Sequence, residues 1–579
     1  MVRSPASAEG TVILASPDRE LLLTGPDEVV CAHRLDDVLP CLARVEAGVS
    51  RGLHAAGFIA YEAAPAFDAA LAAHPPGEIP LLWFGLYRWV RQWSPEGRRE
   101  AVFTVGSWSP QVPEDAYLKA IRRIRAYIAA GDVYQVNYTF PLHASFEGDS
   151  LGLFGRLCRA QSSDYCVFVN AGRFHVLSAS PEMFFDLEGD RLTTRPMKGT
   201  RPRGRWPEED LRLADELARS DKDQAENVMI VDLLRNDLGR IAEFGTVEVE
   251  QLFRVERYPT VWQLTSTIAA KTQAPVPEIL RALFPCGSVT GAPKVRMMQI
   301  ARELEPFPRG VYCGCVGWWF PGRRARFNVA IRTVVIDTVP GTATYGVGGG
   351  ITWGSSPEGE YEECRVKTRL LMHAETDFEL LESILFDGEF FLLDEHLDRL
   401  AASAAYFDVP VDRGAVAAVL ERAVTERPQG GAPLKVRLLV AREGKLRVEV
   451  APATPSRPVR LGFAGAPVDS AGVFLFHKTT HRRVYEEARR SRPECDDVLL
   501  WNERGEITES STANVVLEIE GELLTPRVEC GLLPGTFRRR LLEDGAIREA
   551  VLRKEDVAQA ASVRLINSVR KWIEAEFVD

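Results

Sequence analysis

Two short acidic segments have the spacing of paired metal ligands on a helix. Asp223 and Glu226 lie three residues apart in KDQAENVMIVDLLRND, so a helix places them on one face. Glu360 and Glu363 have the same spacing in PEGEYEECRVK. Carboxylate pairs of this kind can hold Mg²⁺, which usually keeps waters and meets a ligand oxygen. The alternative is a pair of amphipathic helices whose acids form surface ion pairs worth at most about 1 kcal/mol each, and spacing alone favours that alternative.

Further side chains that could do chemistry lie in turns and loops of the same half. Glu182 follows a proline turn in SASPEMFF, and Lys198 lies beside a glycine in PMKGT, where the backbone can approach a ligand. The glycine run of GVGGGITWG, which includes Gly349, has the same property. Lys294 in PCGSVTGAPK and Arg332 in AIRT add cations. Taken alone, Lys198 is most often a solvated cation, so its spacing assigns it no role.

The C-terminal third contains the parts that a pyridoxal phosphate site needs. Lys478 in FLFHKTTHRR could form a Schiff base, and Glu509 in VLLWNERGEITES could face a pyridine nitrogen. A helix predicted to begin at Gly535–Thr536 has free N–H groups that suit a phosphate. Any one of these residues alone is more often structural.

The composition is that of a large globular protein. The chain has 579 residues, 46% hydrophobic and 26% charged, which predicts several domains. Its net charge of −11 argues against a general nucleic-acid or anionic-membrane binder. The ten cysteines are scattered, with only Cys313 and Cys315 close together, which predicts reduced thiols. Since no signal-peptide core and no apolar run of roughly 18 residues is present, we expect a soluble cytoplasmic protein.

Predicted helices and strands must position these residues. PEDAYLKAIRRIRAYIAAG predicts a helix that ends at Gly131, and further helices are predicted through AENVMIVDLLRND and from near Ser356. The pattern restarts near residue 375, where FELLESILFDGEFFLLDEHLDRL predicts strand, turn, strand and helix. FLF before Lys478 predicts a strand, with a helix from near Arg482. A domain boundary is therefore expected at about residues 370–376.

Several long motifs of the N-terminal half resemble those of the chorismate-utilising enzymes. In chain order they are SPEMF, PMKGTRPRG, KDQAENVMIVDLLRNDLGR, PCGSVTGAPK, RGVYCGCVGWW, AIRT and GVGGGITWGSSPEGEYEEC. This family includes anthranilate synthase, isochorismate and salicylate synthases, and component I of aminodeoxychorismate synthase. The resemblance spans roughly residues 110–370.

The resemblance implies a metal site and a substrate site. Mg²⁺ would be held by Glu226 and Glu363, with Asp223 and Glu360 close by. Glu182 falls on the general acid that protonates the departing C4 hydroxyl of chorismate, which requires a carboxyl kept protonated by its surroundings. The residues implied in substrate binding are Thr290, Lys294, Tyr312, Arg332, Gly349 and Lys367.

Two positions distinguish the members of this family. Where isochorismate and salicylate synthases have a lysine that activates water, this chain has Gln135, so ammonia is the expected nucleophile. PMKGT resembles the PIKGT of aminodeoxychorismate synthases, in which the lysine attacks C2 of the ring as the C4 hydroxyl leaves; ammonia then adds at C4 and expels the lysine. The resemblance implies this role for Lys198, which must then be partly neutral. The field that lowers its pKa is expected from Arg201, Arg203 and Arg205.

The chain also departs from the family pattern. Gln263 stands where members often have histidine, so a hydrogen bond to the leaving hydroxyl is expected to be made differently. Cys286 stands where glycine is usual and is expected near the site. The first 100 residues match the family only weakly.

The C-terminal motifs resemble the fold-type IV pyridoxal phosphate enzymes, which include branched-chain and D-amino acid aminotransferases and aminodeoxychorismate lyase. This resemblance covers about residues 376–579. It implies Lys478 as the Schiff-base lysine, Glu509 beside the pyridine nitrogen, Arg399, Gly535 and Thr536 at the phosphate, and Asn567 near the substrate. Relatives often have SVRGW where this chain has SVRKW, with Lys571 in place of the glycine.

Together these features predict a multidomain α+β protein. Residues 1–110 form an N-terminal part of the synthase, 111–372 a chorismate-binding β-sandwich flanked by helices, and 376–579 a two-subdomain α/β fold-type IV lyase domain. The combination predicts bifunctional 4-aminobenzoate synthesis, for folate or a specialised arylamine. Chorismate and ammonia would give 4-amino-4-deoxychorismate, and pyridoxal phosphate-dependent elimination of pyruvate would follow.

Two alternatives stay open at this level. An anthranilate-type synthase could be fused to an amino acid aminotransferase, or the C-terminal half could be a catalytically silent interaction module. No glutaminase Cys-His-Glu module is visible, so a separate glutamine amidotransferase subunit is expected to supply ammonia. A homodimer through the C-terminal domain is expected by analogy with fold-type IV relatives.

Overall fold

The protein consists of two compact units, and this computed structural model describes residues 8–17, 19–93, 102–372, 378–425 and 432–578. The first unit comprises Met1–Pro202 and Leu213–Glu375, and the second comprises Arg203–Arg212 and Thr376–Asp579. Each unit contains both helices and sheets, so the predicted multidomain α+β class is confirmed. The functional boundaries assigned from the sequence stay predictions.

The first unit is built on two large sheets. Their strands are β1 (Val12–Ala15), β2 (Glu20–Leu23), β3 (Glu28–Ala32), β4 (His54–Ile59), β5 (Leu82–Tyr87), β6 (Arg91–Trp93), β7 (Phe103–Val105), β8 (Ser109–Pro110), β9 (Gln135–Gly148), β10 (Tyr165–Ala171), β11 (Phe174–Ser180), β12 (Met183–Glu188), β13 (Arg191–Arg195), β14 (Met197–Pro202), β15 (Glu248–Arg257), β16 (Val261–Lys271), β17 (Gly291–Ala292), β18 (Cys315–Phe320), β19 (Arg324–Val329), β20 (Thr333–Asp337) and β21 (Thr342–Ile351). One sheet has the order β17-β9-β21-β20-β11-β10-β1-β2-β6, with β7 and β8 paired to β9. The other has the order β14-β16-β13-β12-β19-β18-β4-β5-β3, with β15 paired to β16.

Alternate side chains of these strands enter different cores. Val12 of β1 shares a buried cluster with Phe58 of β4 and Trp83 of β5, so the two sheets pack face to face. Ile13, the next residue of β1, belongs instead to a larger cluster that includes helical residues such as Ile121. The predicted sandwich flanked by helices is therefore confirmed.

Helices on the outer faces position the acidic segments. They are α1 (Leu35–Ser50), α2 (Ala64–Phe67), α3 (Glu114–Ala129), α4 (Ser150–Gln161), α6 (Asp221–Gly239), α7 (Val276–Leu283), α8 (Lys294–Leu304) and α9 (Pro357–Met372). Helix α5 (Pro207–Ala218) begins in the Arg203–Arg212 segment of the second unit and ends in the first. Tyr117 of α3 contacts the Tyr361 ring of α9 at 5.4 Å and lies 3.5 Å from Cys364 through its hydroxyl. The predicted helix α3, which precedes Gly131, thus holds α9 and its carboxylates against the sheet.

The second unit combines a small and a large sheet. Its elements are β22 (Leu380–Phe386), α10 (Leu393–Phe407), α11 (Arg413–Thr425), β23 (Leu434–Val440), β24 (Leu446–Pro452), β25 (Val459–Phe463), α12 (Arg483–Arg490), β26 (Asp497–Trp501), β27 (Ile507–Ser510), β28 (Asn514–Ile519), β29 (Glu522–Pro526), α13 (Thr536–Glu543), β30 (Arg548–Ala550), α14 (Lys554–Gln559), β31 (Ser562–Asn567) and β32 (Lys571–Phe577). The sheets have the orders β22-β23-β24 and β27-β26-β25-β32-β31-β28-β29-β30.

Two predicted strands of this unit are absent from its described residues. The second strand expected before α10 is only an isolated bridge between Phe386 and Phe390, because Leu392 adopts a left-handed conformation (φ 56°) and starts the helix. FLF before Lys478 is a short 3-10 helix, Val473–Leu475, rather than a strand. Periodicity cannot separate such short apolar runs from strands.

Arg203–Arg212 is a short segment that packs within the second unit although it lies far from it in sequence. The Trp206 ring stacks on Phe476 with a centroid distance of 5.0 Å. The Arg203 guanidinium lies 4.4 Å from the centre of the Tyr406 ring and donates hydrogen bonds to both carboxylate oxygens of Asp210. The segment is therefore an integral part of the core that surrounds residues 475–477.

We expect Trp206→Ala to destabilise the second unit by about 2 kcal/mol, less than the roughly 3–5 kcal/mol of a fully buried tryptophan, because Trp206 is only partly buried. Differential scanning calorimetry of the full chain should show a melting transition lowered by a few degrees. Trp89→Ala, at a site that is 72% exposed, is the control and should leave the profile unchanged. An unchanged profile for Trp206→Ala would mean that the segment contributes nothing to the unit.

Candidate active sites

Lys198 of β14 faces the glycine-rich strand β21. A Cβ atom at Gly350 would lie 3.0 Å from Lys198 Nζ and 2.5 Å from Gln135 Nε2, so only a glycine lets the amine and the amide reach this point. Burial lowers the pKa of Lys198, and Lys367 adds to the effect, whereas Glu226 opposes it. The shift is therefore toward the neutral amine that a nucleophile requires.

The arginines that follow Lys198 do not provide the expected field. Arg201 donates to Asp223 at 2.8 Å, so its charge is compensated. Arg203 and Arg205 belong to the second unit, and each pairs with a carboxylate of its own segment. The expectation that three free guanidiniums lower the pKa of Lys198 is wrong, and burial is the main cause.

Gln135 is a buried amide with unused hydrogen-bonding capacity. Its side chain is 0% exposed, and neither Nε2 nor Oε1 has a hydrogen-bond partner within the described part of the chain. A buried amide without partners is costly, so such a group in a site suggests a ligand that completes it.

Glu182 lies between β11 and β12 with its backbone fixed and one side-chain oxygen free. Its amide donates to Ser180 Oγ at 3.1 Å, and its carbonyl accepts from Val329 at 3.0 Å. Oε1 has no partner among the described residues. Burial raises the pKa of Glu182 to about 7, although Ser288 and Lys198 lower it. The carboxyl is thus suited to donate a proton near neutral pH.

We expect Glu182→Gln to lower kcat for turnover in the first unit about 100-fold, because an amide cannot supply the proton. A group with its pKa raised to about 7 is protonated below that pH, so wild-type kcat/KM should fall as the pH rises above it, and the variant should lose this limb. Lys198, Tyr258 and Cys286 are the titratable neighbours whose charge could move the limb. The measurement is a pH profile at fixed free ammonia.

The matched control is Glu188→Gln, an exposed glutamate on β12. It should leave both rate and profile unchanged. If Glu182→Gln keeps the same pH profile as the unmodified protein, Glu182 is not the proton donor.

Helix α9 presents its charged side chains to β21. A Cβ atom at Gly349 would lie 3.0 Å from Glu360 Oε2 and 4.0 Å from Glu363 Oε1. Lys367 pairs with Glu363 at 2.7 Å and donates to the Gly348 carbonyl at 2.8 Å. The glycine run thus allows the helix side chains to approach the strand; the close approach of a ligand, which the sequence suggested, stays a prediction.

Four carboxylates were predicted around the metal, and their neighbours are known. Within the described residues, no group of three or more His, Cys, Asp or Glu side chains is arranged as a metal site. Asp223 accepts from Arg201 and Glu363 pairs with Lys367, whereas Glu360 lies against Gly349. Glu226 and Glu363, the two expected ligands, both act electrostatically on Lys198, and all four assignments stay predictions. Since Mg²⁺ often uses one or two protein carboxylates with waters and ligand oxygens, this pair fits such an ion.

The predicted substrate-binding residues divide into two groups. Arg332 and Lys367 are close together, because Arg332 Nη1 donates to the Lys367 carbonyl at 3.5 Å. The Tyr312 ring lies against β21, since a Cβ at Gly346 would be only 2.2 Å from it. The Lys294 amine forms an ion pair with Asp237 at 2.9 Å, as the Lys367 amine does with Glu363 at 2.7 Å. The expected contact of Lys294 with substrate stays a prediction.

Thr290 and the departures from the family pattern also have structural roles. Thr290 is buried and donates to the Cys286 carbonyl at 3.1 Å. Cys286 Sγ lies 3.2 Å from Ser288 Oγ, and burial raises the pKa of the thiol to about 12. Gln263 Oε1 accepts from Thr200 Oγ1 at 3.3 Å, next to the lysine strand. Sequence reasoning missed Ser288, whose only signal is its place two residues after Cys286.

In the second unit, Lys478 is held beside strand β22. Its carbonyl accepts from the Leu381 amide at 2.9 Å. Burial lowers the pKa of Lys478 to about 8, and Arg399 contributes, whereas Glu382 and Glu509 raise it. The neutral amine is consequently far easier to reach near neutral pH than in an exposed lysine, although the charged form still predominates.

Glu509 is a buried carboxylate held by a network of donors. Its Oε1 accepts from the Tyr485 hydroxyl at 2.8 Å and from the Leu533 amide at 3.1 Å. Its Oε2 accepts from Asn514 Nδ2 at 3.2 Å. Burial raises its pKa to about 7. Tyr485 was not predicted, although it lies on the helix that follows Lys478.

The predicted phosphate end is compact. Arg399 Nη2 and His396 Nδ1 both lie 2.6 Å from Glu382 Oε2, and His396 Nε2 lies 3.3 Å from Thr536 Oγ1, the first residue of α13. A Cβ at Gly535 would lie 2.2 Å from Asn514 Oδ1. These residues form a cradle that fits a phosphate, although the Arg399 charge is shared with Glu382.

Asn567 and Lys571 shape the turn between β31 and β32. Asn567 Oδ1 accepts from the Val569 and Arg570 amides at 3.1 and 2.8 Å, so its side chain builds the turn. Lys571 has a left-handed backbone (φ 57°), the conformation that favours the glycine often found there. Its amine lies 4.6 Å from the centre of the Phe391 ring.

Comparison with known proteins agrees with both resemblances. Residues 4–373 match the chorismate binding enzyme family, and residues 378–576 match the amino-transferase class IV family. Component 1 of aminodeoxychorismate synthase from Salmonella typhimurium is 41% identical over 50% of this chain and 63% of its own length. The chain thus spans less than two thirds of that relative.

Other relatives carry a different activity. Component 1 of anthranilate synthase from Methanothermobacter thermautotrophicus is 33% identical over 56% of this chain and 75% of its own length. The crystal structure of component I of anthranilate synthase from Streptococcus pneumoniae is 22% identical, with a TM-score of 0.53, and covers 64% of this chain and 94% of its own.

In the described residues, no helix has the length and apolar character to cross a membrane.

Proposed function

Because this chain belongs to the chorismate binding enzyme family, we propose that its first unit converts chorismate and ammonia to 4-amino-4-deoxychorismate. We propose that its second unit then releases pyruvate from this product to give 4-aminobenzoate. One observation carries the first half: Lys198 Nζ and the Gln135 amide meet at Gly350. This supports an amine nucleophile in the site, with an amide at the position where water-activating relatives have a lysine. The 41% identity to an aminodeoxychorismate synthase component supports the same reaction.

The proposed amination has two displacement steps. The neutral amine of Lys198 forms a bond to ring carbon C2 as the C4–oxygen bond breaks, and Glu182 donates its proton so that water leaves. Ammonia then bonds to C4 as the lysine nitrogen leaves C2, which restores the neutral Lys198 amine. The new ammonium at C4 gives up one proton, which can return to the Glu182 carboxylate. Burial of Lys198 and Glu182 favours the neutral forms that these steps need.

Charged groups around the amine would hold the substrate. Arg332 and Lys367 would bind carboxylate oxygens through charged hydrogen bonds. Glu226 and Glu363 would hold Mg²⁺, which would neutralise a substrate carboxylate. The Gln135 amide, which has no hydrogen-bond partner among the described residues, would orient ammonia.

The second unit fits pyridoxal phosphate, as its match to amino-transferase class IV suggests. Arg399, Gly535 and Thr536 would bind the phosphate, and Glu509 would face the ring nitrogen. When bound, the cofactor would supply an electron sink. Lys478 would remove the proton from C4 of the aminated ring, and loss of the enolpyruvyl group as pyruvate would make the ring aromatic.

The order of the two units supports a lyase over an aminotransferase. The amine made by the first reaction is the substrate that the second would consume, whereas transamination would need an unrelated acceptor. The purified chain with chorismate, ammonium, Mg²⁺ and pyridoxal phosphate should release 4-aminobenzoate and pyruvate. Accumulation of anthranilate instead would refute the proposal.

The anthranilate synthase relatives support one competing function, an anthranilate-type synthase fused to an amino acid aminotransferase. With that function, 2-oxoglutarate would accept an amino group at the second unit, and the second unit would release no pyruvate. The name of the Salmonella relative, component 1, supports a separate amidotransferase as the source of ammonia. Turnover with glutamine alone, without any partner, would contradict that source.

A further inference from the structure

Four cations of the second unit, carried by three separate parts of the chain, lie near enough to act on one another. Lys435 and Arg437 are two residues apart on β23, so they share a face of the small sheet. Arg482 begins the helix that follows Lys478, and Arg570 ends the turn between β31 and β32.

Hydrogen bonds connect these elements around Ser511 and Thr512. Arg482 donates to the Ser511 carbonyl, and Arg570 donates to Thr512 Oγ1 at 3.2 Å. The guanidinium of Arg482 also lies 4.6 Å from the centre of the Tyr485 ring, which reaches Glu509. The two guanidiniums are thus anchored at adjacent residues.

Strand β22 connects the cations to Lys478. It pairs with β23 so that Ser383 is opposite Arg437 and Leu385 is opposite Lys435. Ser568, in the turn before Arg570, donates to the Ser383 carbonyl at 3.3 Å. Two residues earlier in the strand, Leu381 donates to Lys478.

Carboxylates compensate this group only in part. Arg437 pairs with Glu449 at 3.3 Å, but no carboxylate of the described residues forms an ion pair with Lys435, Arg482 or Arg570. Asp497, which accepts hydrogen bonds from Ser511 and Thr512, acts on Arg570 without a direct contact, and Arg482 acts on Glu509 in the same way. Burial lowers the pKa of Lys435, and Arg437, Arg570 and Arg482 lower it further, so the cations act on one another.

We propose that Lys435, Arg482 and Arg570 form a carboxylate-binding cluster that selects amines with two carboxylates for reaction at Lys478. Like charges at close range repel each other, and an anion that bridges them removes that cost. One carboxylate would need only one or two of these cations. The cluster therefore fits a substrate with a ring carboxylate and a second carboxylate on an ether side chain, and in this it rests on the proposed function.

A stable ligand tests the cluster directly. The full chain, loaded with pyridoxal phosphate, is titrated with 3-(carboxymethoxy)benzoate and with benzoate, and binding is followed by the cofactor's absorbance. We expect the dicarboxylate to bind more tightly than benzoate. Lys435→Met and Arg570→Met should each raise its half-saturating concentration about tenfold, while benzoate changes less.

The controls separate charge from folding. Arg548→Met removes an exposed arginine at the opposite edge of the large sheet and should change nothing. Lys435→Arg should keep most of the affinity because it keeps the charge. Equal binding by all variants, or no spectral change with the unmodified chain, would overturn the cluster. If the variants lose binding but the unmodified chain releases no pyruvate from chorismate, the lyase proposal fails and the cluster stands.

Discussion

Lys198→Ala should reduce ammonia-dependent amination of chorismate about 10³-fold or more, because alanine removes the nucleophile itself. The loss should appear in kcat, since Arg332 and Lys367, the groups proposed to bind the substrate carboxylates, remain and KM should change little. Lys198→Arg should be equally inactive because a guanidinium stays charged. The measurement is steady-state formation of the aminated product with ammonium as the nitrogen source.

Lys271→Ala is the matched control for this variant. Lys271 is an exposed lysine at the end of the neighbouring strand β16, and its loss should leave the rate unchanged. Full amination by Lys198→Ala would remove the chemical basis for choosing C4 as the site of amination.

Lys478→Ala should separate the two reactions. The first unit does not use Lys478, so 4-amino-4-deoxychorismate should accumulate while 4-aminobenzoate formation falls about 10³-fold or more. The absorbance band of the bound cofactor should also shift, because its covalent attachment to the protein is lost. Product chromatography and an absorbance spectrum measure the two effects.

The exposed lysine Lys445, in the turn between β23 and β24, provides the control for the second unit. Lys445→Ala should keep the spectrum and the product. Undiminished release of 4-aminobenzoate by Lys478→Ala would make the second unit an interaction module rather than an enzyme.

The sequence predicted the residues of both sites better than their charge partners. Lys198, Glu182 and Glu363 lie in long motifs, and the structure brings them to one region of the glycine-rich strand β21, although their roles stay predictions. Motifs of this length identify a family because each contains several residues of restricted type. The two families were confirmed over residues 4–373 and 378–576.

Electrostatic partners were harder to predict because they depend on the folded chain. Lys294 was expected at the substrate, but Asp237, which is distant in sequence, binds its amine. Arg201 was expected to act on Lys198, but Asp223 compensates its charge. No spacing rule reveals such pairs, since the two partners lie on different elements.

Packing across long sequence distances was also beyond the sequence. Arg203–Arg212 reads as part of the N-terminal motifs, yet it packs within the second unit through Trp206 and Phe476. The short apolar run before Lys478 has the composition of a strand but is too short to set its own conformation. Local patterns predicted the long elements, such as α3 and α9, more reliably.

Intact-protein mass spectrometry during exposure to chorismate and Mg²⁺, with ammonium left out, tests the central claim most directly. If the Lys198 amine attacks C2 as water leaves, the protein should gain the mass of chorismate less one water. Digestion of the protein should then locate this added mass on the peptide that contains Lys198. Adding ammonium should remove this adduct and release the aminated product. An active enzyme that forms no adduct, or an adduct that persists in Lys198→Ala, would contradict the account.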